Sequence, residues 1–473
     1  MALSGNSFSG GSIPFTGMNY LTSSDIIEMH AKAKIDVNPR VFGRYGKEKL
    51  GILPFIEEFG QKESASSSVF SHYEQDFTRD IIKCVANLIG GTPNSAHDIE
   101  VAGTSYDTYP DTGDSFYPNY TVGGSLQFPV READVVVIAG VEAIVTSVDE
   151  GTKKFTAVPT VLGESIPAVT ASTEIYISGR ARAERSTGPK GRDTRLIKYE
   201  NFIQTIDEAY SVSGAALGQS GLVQGFAGTD KWYATGILNT RTNFDALCEL
   251  TLLTGKKISN NTNGSIANTF KTEGIIPFIQ NYGNVVQYGA AANAMDLSDL
   301  DNMIADHKKF YGSDSYMLLE SHPFSVQLDD SLRGLLGVEN GVVYDQKMLN
   351  LGFGAVRRSG VNIYRKSLQG FSDPRTLGSK DSLFSKSAIM IPTGTATSFD
   401  YNGGQMVEKP TMMLKYLDVD GEDMGYKEIV TGGAGIANTN NTDEMVITMR
   451  KRMGIELNGA NLMGYFEGSD PNP

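Results

Sequence analysis

One acidic segment of the sequence has carboxylates at a spacing close to that of a calcium-binding loop. Asp418, Asp420 and Glu422 occupy the first, third and fifth positions of such a loop. The sixth position, where the loop needs glycine for its sharp turn, is Asp423, and the twelfth is Ile429 in place of the bidentate glutamate. We therefore interpret the segment as an acidic turn between two strands.

The other residue types that commonly carry catalysis or bind metals lie far apart or lack partners. No zinc-binding spacing occurs among the five histidines, His30, His72, His97, His307 and His322, and we interpret the last two as helix and loop residues. The glycine-rich segment 431–435 has no lysine and no following helix pattern, both of which a phosphate-binding loop requires. Ser213 and Ser220 precede glycines but lack the strand-to-helix turn and the histidine partner of a nucleophilic serine. We expect no enzymatic activity and neither a metal nor a cofactor.

A dense cluster of basic residues lies between residues 180 and 198. Its members are Arg180, Arg182, Arg185, Lys190, Arg192, Arg195 and Lys198. One interpretation is a solvated loop, because Gly188, Pro189 and Gly191 interrupt the cluster. The other is a loop that binds an acidic patch on a second copy of the chain, since complementary patches determine how copies associate. Nucleic-acid binding is less well supported, because no aromatic residue separates these side chains before Tyr199.

The chain of 473 residues is acidic as a whole, with a formal net charge of −14 and an estimated pI of 4.9. Because proteins that bind nucleic acid are normally basic, we expect no adhesion to DNA through the average charge. Cys84 and Cys248 are too few for a disulfide framework, which favours assembly in a reducing cytoplasm. We expect no signal peptide, because MALSGNSFSGGSIPF has neither a basic n-region nor an apolar h-region. We expect no membrane-spanning segment, because no stretch approaches about 20 consecutive apolar residues.

The first 200 residues change character several times. Glycine, serine and asparagine dominate the beginning, which predicts a flexible arm up to about residue 35. An extended aromatic segment at 68–78 and a helix-like stretch at Asp80–Leu88 follow. The loop-like segment 100–124 is rich in Tyr, Pro, Asp and Gly, and β-rich runs then fill 125–182. We interpret the β-rich region as a small domain inserted into a larger one.

The longest helix should run from about Thr229 to Leu253, with Thr229 or Asp230 as its cap. Apolar residues recur there at helical spacing: Trp232, Ile237, Leu238, Phe244, Leu247, Cys248 and Leu252. We expect Cys248 to be a small core residue. Gly236 should weaken this helix by about 1 kcal/mol relative to alanine.

The region after residue 296 predicts a layer in which helices and strands alternate. A helix capped by Asp296 should end at Gly312, and a second should run from Pro323 to Leu336. Strands are predicted for YMLLES, VNIYRKS and SAIMIPTG. The last 80 residues return to strands, TMMLKYL and DEMVITMRKRMGIEL, with the loop-like GGAGIANTNNT between them.

The order of these segments resembles the major capsid proteins of tailed bacteriophages, with the Hong Kong 97 phage-type fold that encapsulins and herpesvirus shells share. VFSHYEQDF is similar to the outgoing strand of the family's long extended loop. YENFIQTIDEAYSVSGAALG is similar to its return, with an Asn-Phe-x-Gln and a Val-Ser-Gly. The long helix resembles the family's spine helix, and IIPFIQN with the helix and strand after it resembles the start of the axial domain. Within the family, the chain is most similar to capsid proteins of crAss-like phages.

The resemblance implies an α+β, Hong Kong 97 phage-type capsid fold with an inserted small β-domain. The division it implies is an N-terminal arm (1–65), the start of the extended loop (66–97), the inserted β-domain (98–185), the return of the extended loop (186–225), the spine helix and peripheral domain (226–285), the axial domain (286–385) and the return to the peripheral domain (386–473). The N-terminus has no long helical scaffolding segment, so the resemblance implies a separate scaffold protein.

The function that the resemblance implies is a structural one. Copies of the chain would assemble as hexamers and pentamers into an icosahedral head shell in the host bacterial cytoplasm. The shell would enclose double-stranded DNA without sequence-specific binding, and its partners would be portal, scaffold and head-decoration proteins, with no membrane. Two alternatives stay open at this point: a tail or baseplate protein, and a carbohydrate-binding or carbohydrate-active β-rich protein whose Tyr-rich loop at 106–120 stacks on sugars. The predicted α/β layer at 296–367 argues against both.

Overall fold

The computed structural model describes residues 61–75, 82–84, 90–100, 130–149, 152, 154–168, 170, 173–184, 196–219, 232–258, 269–288, 295–309, 312–335, 354–373, 377, 383–393, 395–400, 405–419 and 421–468. The chain divides into two compact units. One comprises Met1–Phe70, Asn201–Asn281 and Val285–Pro473, and the other comprises Ser71–Glu200 and Tyr282–Asn284.

The described residues contain 22 strands. They are β1 (Gln61–Ala65), β2 (Val69–Gln75), β3 (Ile82–Lys83), β4 (His97–Glu100), β5 (Asp134–Ile138), β6 (Val141–Asp149), β7 (Lys154–Pro159), β8 (Glu174–Arg180), β9 (Leu196–Phe202), β10 (Gln204–Ser213), β11 (Asn284–Tyr288), β12 (Ser315–Glu320), β13 (Ala355–Arg358), β14 (Val361–Ser367), β15 (Ala388–Pro392), β16 (Thr395–Asp400), β17 (Gln405–Pro410), β18 (Met412–Val419), β19 (Glu422–Asp423), β20 (Tyr426–Gly432), β21 (Glu444–Leu457) and β22 (Gly464–Gly468).

Six α-helices and two short 3-10 helices occur in the same residues. The α-helices are α1 (Gly214–Gly218), α2 (Trp232–Thr254), α3 (Ile275–Tyr282), α4 (Leu297–Lys309), α5 (His322–Leu335) and α6 (Gln369–Ser372). The 3-10 helices are Leu383–Lys386 and Ala460–Leu462. The secondary structure is therefore α+β, as the sequence predicts.

The smaller unit contains a six-stranded sheet, the inserted sheet, with the strand order β3-β8-β5-β6-β7-β4. One face carries the apolar core, in which Phe155 and Ile175 are fully buried. The hairpin between β5 and β6 turns at Ala139 and Gly140, both with positive φ, as a two-residue hairpin turn requires. The predicted inserted β-domain begins at residue 98. Strand β3 (Ile82–Lys83) precedes that residue and still belongs to the inserted sheet.

The helix predicted at Asp80–Leu88 is wrong at its described residues. Ile82 and Lys83 form a strand that pairs with β8, and Cys84 continues the extended chain with a hydrogen bond from its N–H to the Thr173 carbonyl. Ile82 and Cys84 are both buried in the core of the inserted sheet. Ile82 and Cys84 lie two residues apart and so share one face of the strand, but a segment of three residues is too short for the sequence to distinguish a strand from a helical turn.

The larger unit contains two six-stranded sheets. In the first sheet, β1, β18, β21 and β10 lie in that order, with β19 paired to β18 and β20 paired to β21. β21 is long enough to pair with β10 along one side and with β20 and then β18 along the other. Its alternate residues Met445, Ile447 and Met449 are buried, and β20 was not predicted from the sequence.

Helix α2 packs against β10 and β21 of the first sheet. The predicted helix is confirmed, but its apolar face is only partly correct. Phe244, Cys248 and Leu252 are buried, whereas Leu238 and Leu247 are 42% and 41% exposed. Lys451 on β21 also contacts this helix: its ammonium group pairs with Asp245 at 3.0 Å and lies 5.5 Å from the centre of the Phe244 ring.

Gly236 has a packing role in α2 that the sequence does not show. A Cβ at this position would overlap the ring of Tyr210, which lies on β10. The close approach of helix and strand therefore requires glycine here, and the loss of helix propensity is offset by the packing of the tyrosine.

The second sheet has the order β11-β22-β15-β12-β14-β13 and forms an α/β layer with α4 and α5. β12 and β14 are parallel and are joined through α5, while β12 and β15 are antiparallel. Met303 of α4 and Phe324 of α5 are buried in one core with Leu318 of β12. This arrangement confirms the predicted alternation of helices and strands.

The ends of α4 and α5 are determined locally. Asp296 accepts a hydrogen bond from the N–H of Leu297 at 2.6 Å, and its own N–H donates to Asp299 at 3.0 Å. Helix α4 ends at Lys309, and the N–H of Gly312 donates to the His307 carbonyl of its last turn at 3.0 Å. A Cβ at Gly312 would overlap the Tyr316 hydroxyl, so this close approach requires glycine. At α5, Ser321 accepts from the N–H of Phe324 at 3.3 Å, a cap that the sequence analysis missed.

Candidate assembly surfaces

Strands β2 and β9 form a two-stranded ribbon. These are the two segments that resemble the outgoing and returning strands of the extended loop. His72 stacks on Tyr199 with ring centroids 5.3 Å apart, and Tyr199 packs edge-on against Tyr282 at 5.2 Å. Tyr73 is 61% exposed. Because an isolated two-stranded ribbon is marginal in water, its exposed side is a candidate contact with another molecule.

Asn201, in the Asn-Phe-x-Gln segment, lies at the end of β9 that belongs to the larger unit, and both polar atoms of its side chain are hydrogen-bonded. Its amide nitrogen donates to the carbonyls of Glu273 at 3.0 Å and Ile455 at 2.8 Å. Its amide oxygen accepts from the N–H of Glu273 at 2.7 Å and from the N–H of Phe202 at 2.8 Å. Within the larger unit, this attachment joins the end of β9 to Glu273 and to β21.

Glu273 is a buried carboxylate in this attachment. Its side chain accepts a hydrogen bond from Asn281 at 2.8 Å. Burial raises the pKa of Glu273, against smaller opposing effects from the Asn281 hydrogen bond and the charge of Lys257. Lys257 also lies 5.4 Å above the ring of Phe202. No sequence pattern marks Glu273, because its contact with Asn201 joins residues 72 positions apart.

The Val-Ser-Gly segment marks the end of β10. Val212 is fully buried, Ser213 accepts a hydrogen bond from the N–H of Ala216 at 3.4 Å, and α1 begins at Gly214. A Cβ at Gly214 would overlap the carboxylate of Asp443. The segment thus brings the end of β10 against the loop that precedes β21.

Arg365 is at the centre of a buried charge network in the second sheet. Its side chain is 3% exposed and pairs with Glu320 at 3.1 Å and with Asp329 of α5. It also donates to Ser325 Oγ at 3.0 Å. Burial raises the pKa of Glu320, and Arg365 partly opposes that shift. The sequence gives only a weak indication that Arg365 is buried. Arg365 lies on the same strand face as Val361 and Ile363, where an apolar residue would be expected.

The basic cluster is only partly within the described residues. Arg180 ends β8 and pairs with the buried Asp134 at 2.6 Å, so its charge is balanced inside the same unit. Lys198 lies on β9 and pairs with Glu200 at 3.1 Å. Arg182 is exposed, and Arg185, Lys190, Arg192 and Arg195 lie outside the described residues. The structure does not bring the described members together into one site.

The acidic segment 418–425 contains the end of β18 and the short strand β19, which pair with each other across a tight turn. Gly421 in this turn has a φ of +81°. The interpretation as a turn between strands is confirmed. Within the described part of the chain, no group of three or more His, Cys, Asp or Glu side chains is placed to hold a metal ion. In the same part, no helix is both long and apolar enough to cross a membrane.

Comparison with known proteins identifies the family. The SU10 major capsid protein family matches residues 53–326, more than half of the chain. No curated protein matches the sequence. The matched range includes both strands of the ribbon, helix α2 and the first part of the second sheet.

Several solved structures are similar to this chain at low sequence identity. The capsid of Myoviridae phage XM1 is 8% identical over 93% of this chain and 97% of that one, with a TM-score of 0.36. Gordonia phage Cozz is 9% identical over 73% and 85%, with a TM-score of 0.37. The SrpI encapsulin of Synechococcus elongatus PCC 7942 is 10% identical over 58% and 77%, with a TM-score of 0.33.

The class of protein is therefore a structural component of a viral shell. The chain belongs to the SU10 major capsid protein family, and it is a major capsid protein of a tailed bacteriophage located in the virion capsid. In the described residues, the ribbon, the long helix and the α/β layer follow one another in the order that the resemblance implies. Neither alternative function is favoured.

Proposed function

We propose that the chain assembles as hexamers and pentamers into an icosahedral head shell that encloses double-stranded DNA. Assembly takes place in the host bacterial cytoplasm, with portal, scaffold and head-decoration proteins as further partners, and the chain itself has no enzymatic role. The observation that carries the proposal is the family match over residues 53–326. The acidic chain fits a container wall that does not adsorb its own cargo.

Within this proposal the chain keeps the division given by the resemblance. The ribbon belongs to the extended loop (66–97 and 186–225), and residues 98–185 form the inserted β-domain, whose sheet is extended by β3 of the outgoing loop. Helix α2 belongs to the peripheral domain with β18, β20 and β21 of the first sheet, and β12, β13 and β14 of the second sheet belong to the axial domain (286–385). Strand β1 of the 1–65 arm and β10 of the returning loop complete the first sheet, so the rest of the arm and the ribbon are the parts that reach neighbouring copies. The narrower resemblance to crAss-like phages stays a prediction.

Shell strength in this proposal comes from many modest contacts. A specific protein interface buries about 1,600 Å² in total, and each copy makes several. Contacts that relate different surfaces of neighbouring copies close into rings around the local axes. The ribbon fits such a role, because it leaves Tyr73 on a surface that its own unit does not cover.

The first test is negative-stain electron microscopy of the purified protein, alone and co-expressed with the neighbouring genes of its genome. Closed shells, or hexameric and pentameric capsomers, are expected. Tubes or rings would favour the tail or baseplate alternative. A monomer under every condition would return attention to carbohydrate binding, for which a glycan array and a hydrolase screen are the assays.

The basic cluster gives a second test. We propose that Arg182, Arg185 and Arg192 bind an acidic surface of the next copy. Reversing all three to glutamate should block shell formation and leave a soluble protein, because the attraction between copies becomes repulsion. The matched control replaces the same three residues by lysine, which keeps the charge and should still form shells. Normal shells from the glutamate variant would refute the charge contact.

A further inference from the structure

Strand β1 is a polar strand at the edge of the first sheet. Among the strands that the structure describes, it pairs only with β18. Its sequence, QKESA, contains no β-branched or aromatic residue, and lysine, glutamate and alanine are depleted in strands. The side chains from Lys62 to Ala65 are exposed or half-buried. The extended conformation of β1 therefore depends on the edge of β18 rather than on its own residues.

Strand β18 is held in the sheet independently of β1. Its first four residues, Met412–Lys415, are buried, and β21 pairs with it on the side away from β1. Lys415 binds Glu63 of β1 at 2.5 Å and Glu456 of β21 at 3.0 Å. When β1 leaves, Lys415 keeps Glu456 as its counter-charge, so no buried ammonium group loses its only partner. The edge of β18 can therefore release β1 and accept a second strand of the same sequence.

The connection from β1 to the rest of the chain permits such an exchange. Residues 66–68 are three serines, of which Ser66 and Ser67 are exposed. Because β1 and β18 are parallel, no hairpin turn joins them. The three serines span at most about 14 Å between Ala65 and Val69, so β1 can reach only a copy packed directly against its own. Such copies are present in a shell and absent in a dilute solution of the free protein.

We propose that β1 is an exchangeable strand: in the shell, residues 61–65 of one copy pair with β18 of the neighbouring copy. The structure identifies the occupant of the edge, because QKESA is the sequence that pairs with β18 in a defined register. Exchange replaces each pairing contact by an identical one, so the local concentration of neighbouring copies decides between the two arrangements. The inference rests on the proposed shell assembly and adds β1 to the segments that reach neighbouring copies.

Strand β10 offers a matched control, because it forms the opposite edge of the same sheet. It pairs with β21 along its whole length, from Gln204 to Ser213. Its residues Ile206 and Val212 are buried, and its Tyr210 packs against α2. Because these buried contacts would be lost when the strand leaves, β10 is not expected to exchange.

Disulfide trapping distinguishes exchanged strands from strands that stay on their own copy. Ala65 is the register partner of Leu417 across β1 and β18, and Ala209 is the partner of Thr448 across β10 and β21. Neighbouring strands lie about 4.8 Å apart, within the range that a disulfide spans. The variant with Ala65→Cys and Leu417→Cys should form an internal disulfide in the free protein. In shells it should form disulfides between chains, so that dimers and longer linked species replace the monomer on a non-reducing denaturing gel. The variant with Ala209→Cys and Thr448→Cys should stay monomeric on the gel in both states.

Single-cysteine copies give a second measurement with a milder change. Copies with Ala65→Cys alone, mixed before assembly with copies that carry Leu417→Cys alone, should form linked dimers that contain one copy of each. Neither variant should form them by itself, and the native Cys84 and Cys248 are buried and do not compete.

The outcomes separate the exchange from the proposed function. Shells that contain only internal disulfides, with no linked dimers in the mixed sample, overturn the exchange and leave β1 as a permanent cover for the edge of β18. If the double variant does not assemble, Ser64→Cys with Tyr416→Cys repeats the measurement at the preceding register position. If the unmodified chain forms no shells in the same assay, the proposed function fails instead.

Discussion

His307 provides a quantitative prediction about acid stability. The residue lies in α4, is 1% exposed and stacks on Tyr316 with ring centroids 4.9 Å apart. Burial lowers the pKa of His307 from 6.5 to about 4, with smaller opposing effects from the Met463 backbone and the charge of Asp306. The ring is therefore neutral in the folded protein at pH 5, whereas it is protonated in the unfolded chain.

The sign and size of the effect follow from this difference. Well above pH 6.5 the His307 ring is neutral in both the folded and the unfolded state, so its protonation does not lower the free energy of unfolding. As the pH falls from 6.5 towards 4, the unfolded chain binds a proton that the folded protein does not, so stability is lost at up to about 1.4 kcal/mol per pH unit. At pH 4.5 the accumulated loss is about 2.5 kcal/mol, and below pH 4 it stops growing.

Replacement of His307 by phenylalanine removes the titrating group and keeps an aromatic ring against Tyr316. The assay is urea unfolding of the unassembled full-length protein at several pH values between 7.5 and 4.5. The free energy of unfolding of the variant, relative to the unmodified protein, should rise by about 2.5 kcal/mol across this range. The control is His322→Phe, because the His322 ring is exposed. Parallel pH profiles for the His307 variant and the unmodified protein would refute the reasoning.

Two further substitutions test the buried polar groups. Asn201→Ala should lower the free energy of unfolding by about 3 kcal/mol, because it leaves backbone groups of Glu273 and Ile455 without partners; an unchanged urea midpoint would contradict this. Arg365→Met should cost about 3 to 5 kcal/mol by leaving Glu320 without its counter-charge. The double variant with Glu320→Gln should regain part of that loss in thermal unfolding, and no recovery would show that packing is responsible.

The elements with long, clear periodicity could be predicted from the sequence. Helices α2, α4 and α5 and the strands VNIYRKS and SAIMIPTG are where the patterns place them. Strand β20 was missed because six of its seven residues are exposed or only half-buried, so its sequence lacks the alternation that reveals a strand with one buried face. Strand β3 could not be predicted, because a strand of two residues is too short to show the alternation of buried and exposed side chains.

The contacts that join distant segments could not be derived from the residues. Asn201 bonds to groups 72 and 254 residues away, and only the resemblance drew attention to it. Helix propensity alone predicts that Gly236 weakens α2, whereas the structure shows that glycine is needed there because the Tyr210 ring packs against it. Propensity depends only on a residue and its neighbours along the chain, and the roles of Asn201 and Gly236 depend on residues that are close only in the folded structure.

The parallel pairing of β1 with β18 has a consequence for the order of synthesis. Lys415, 8% exposed, bonds to Glu63 on β1 at 2.5 Å and to Glu456 on β21 at 3.0 Å, which joins residues 352 positions apart. At about 5 to 20 residues per second, β1 leaves the ribosome on the order of 20 to 70 s before its partner strand exists. The first sheet can close only after residue 457, the end of β21, has been synthesised. A copy whose translation stops before residue 412 lacks β18, β20 and β21, so its β1 and β10 have no partner strands in this sheet.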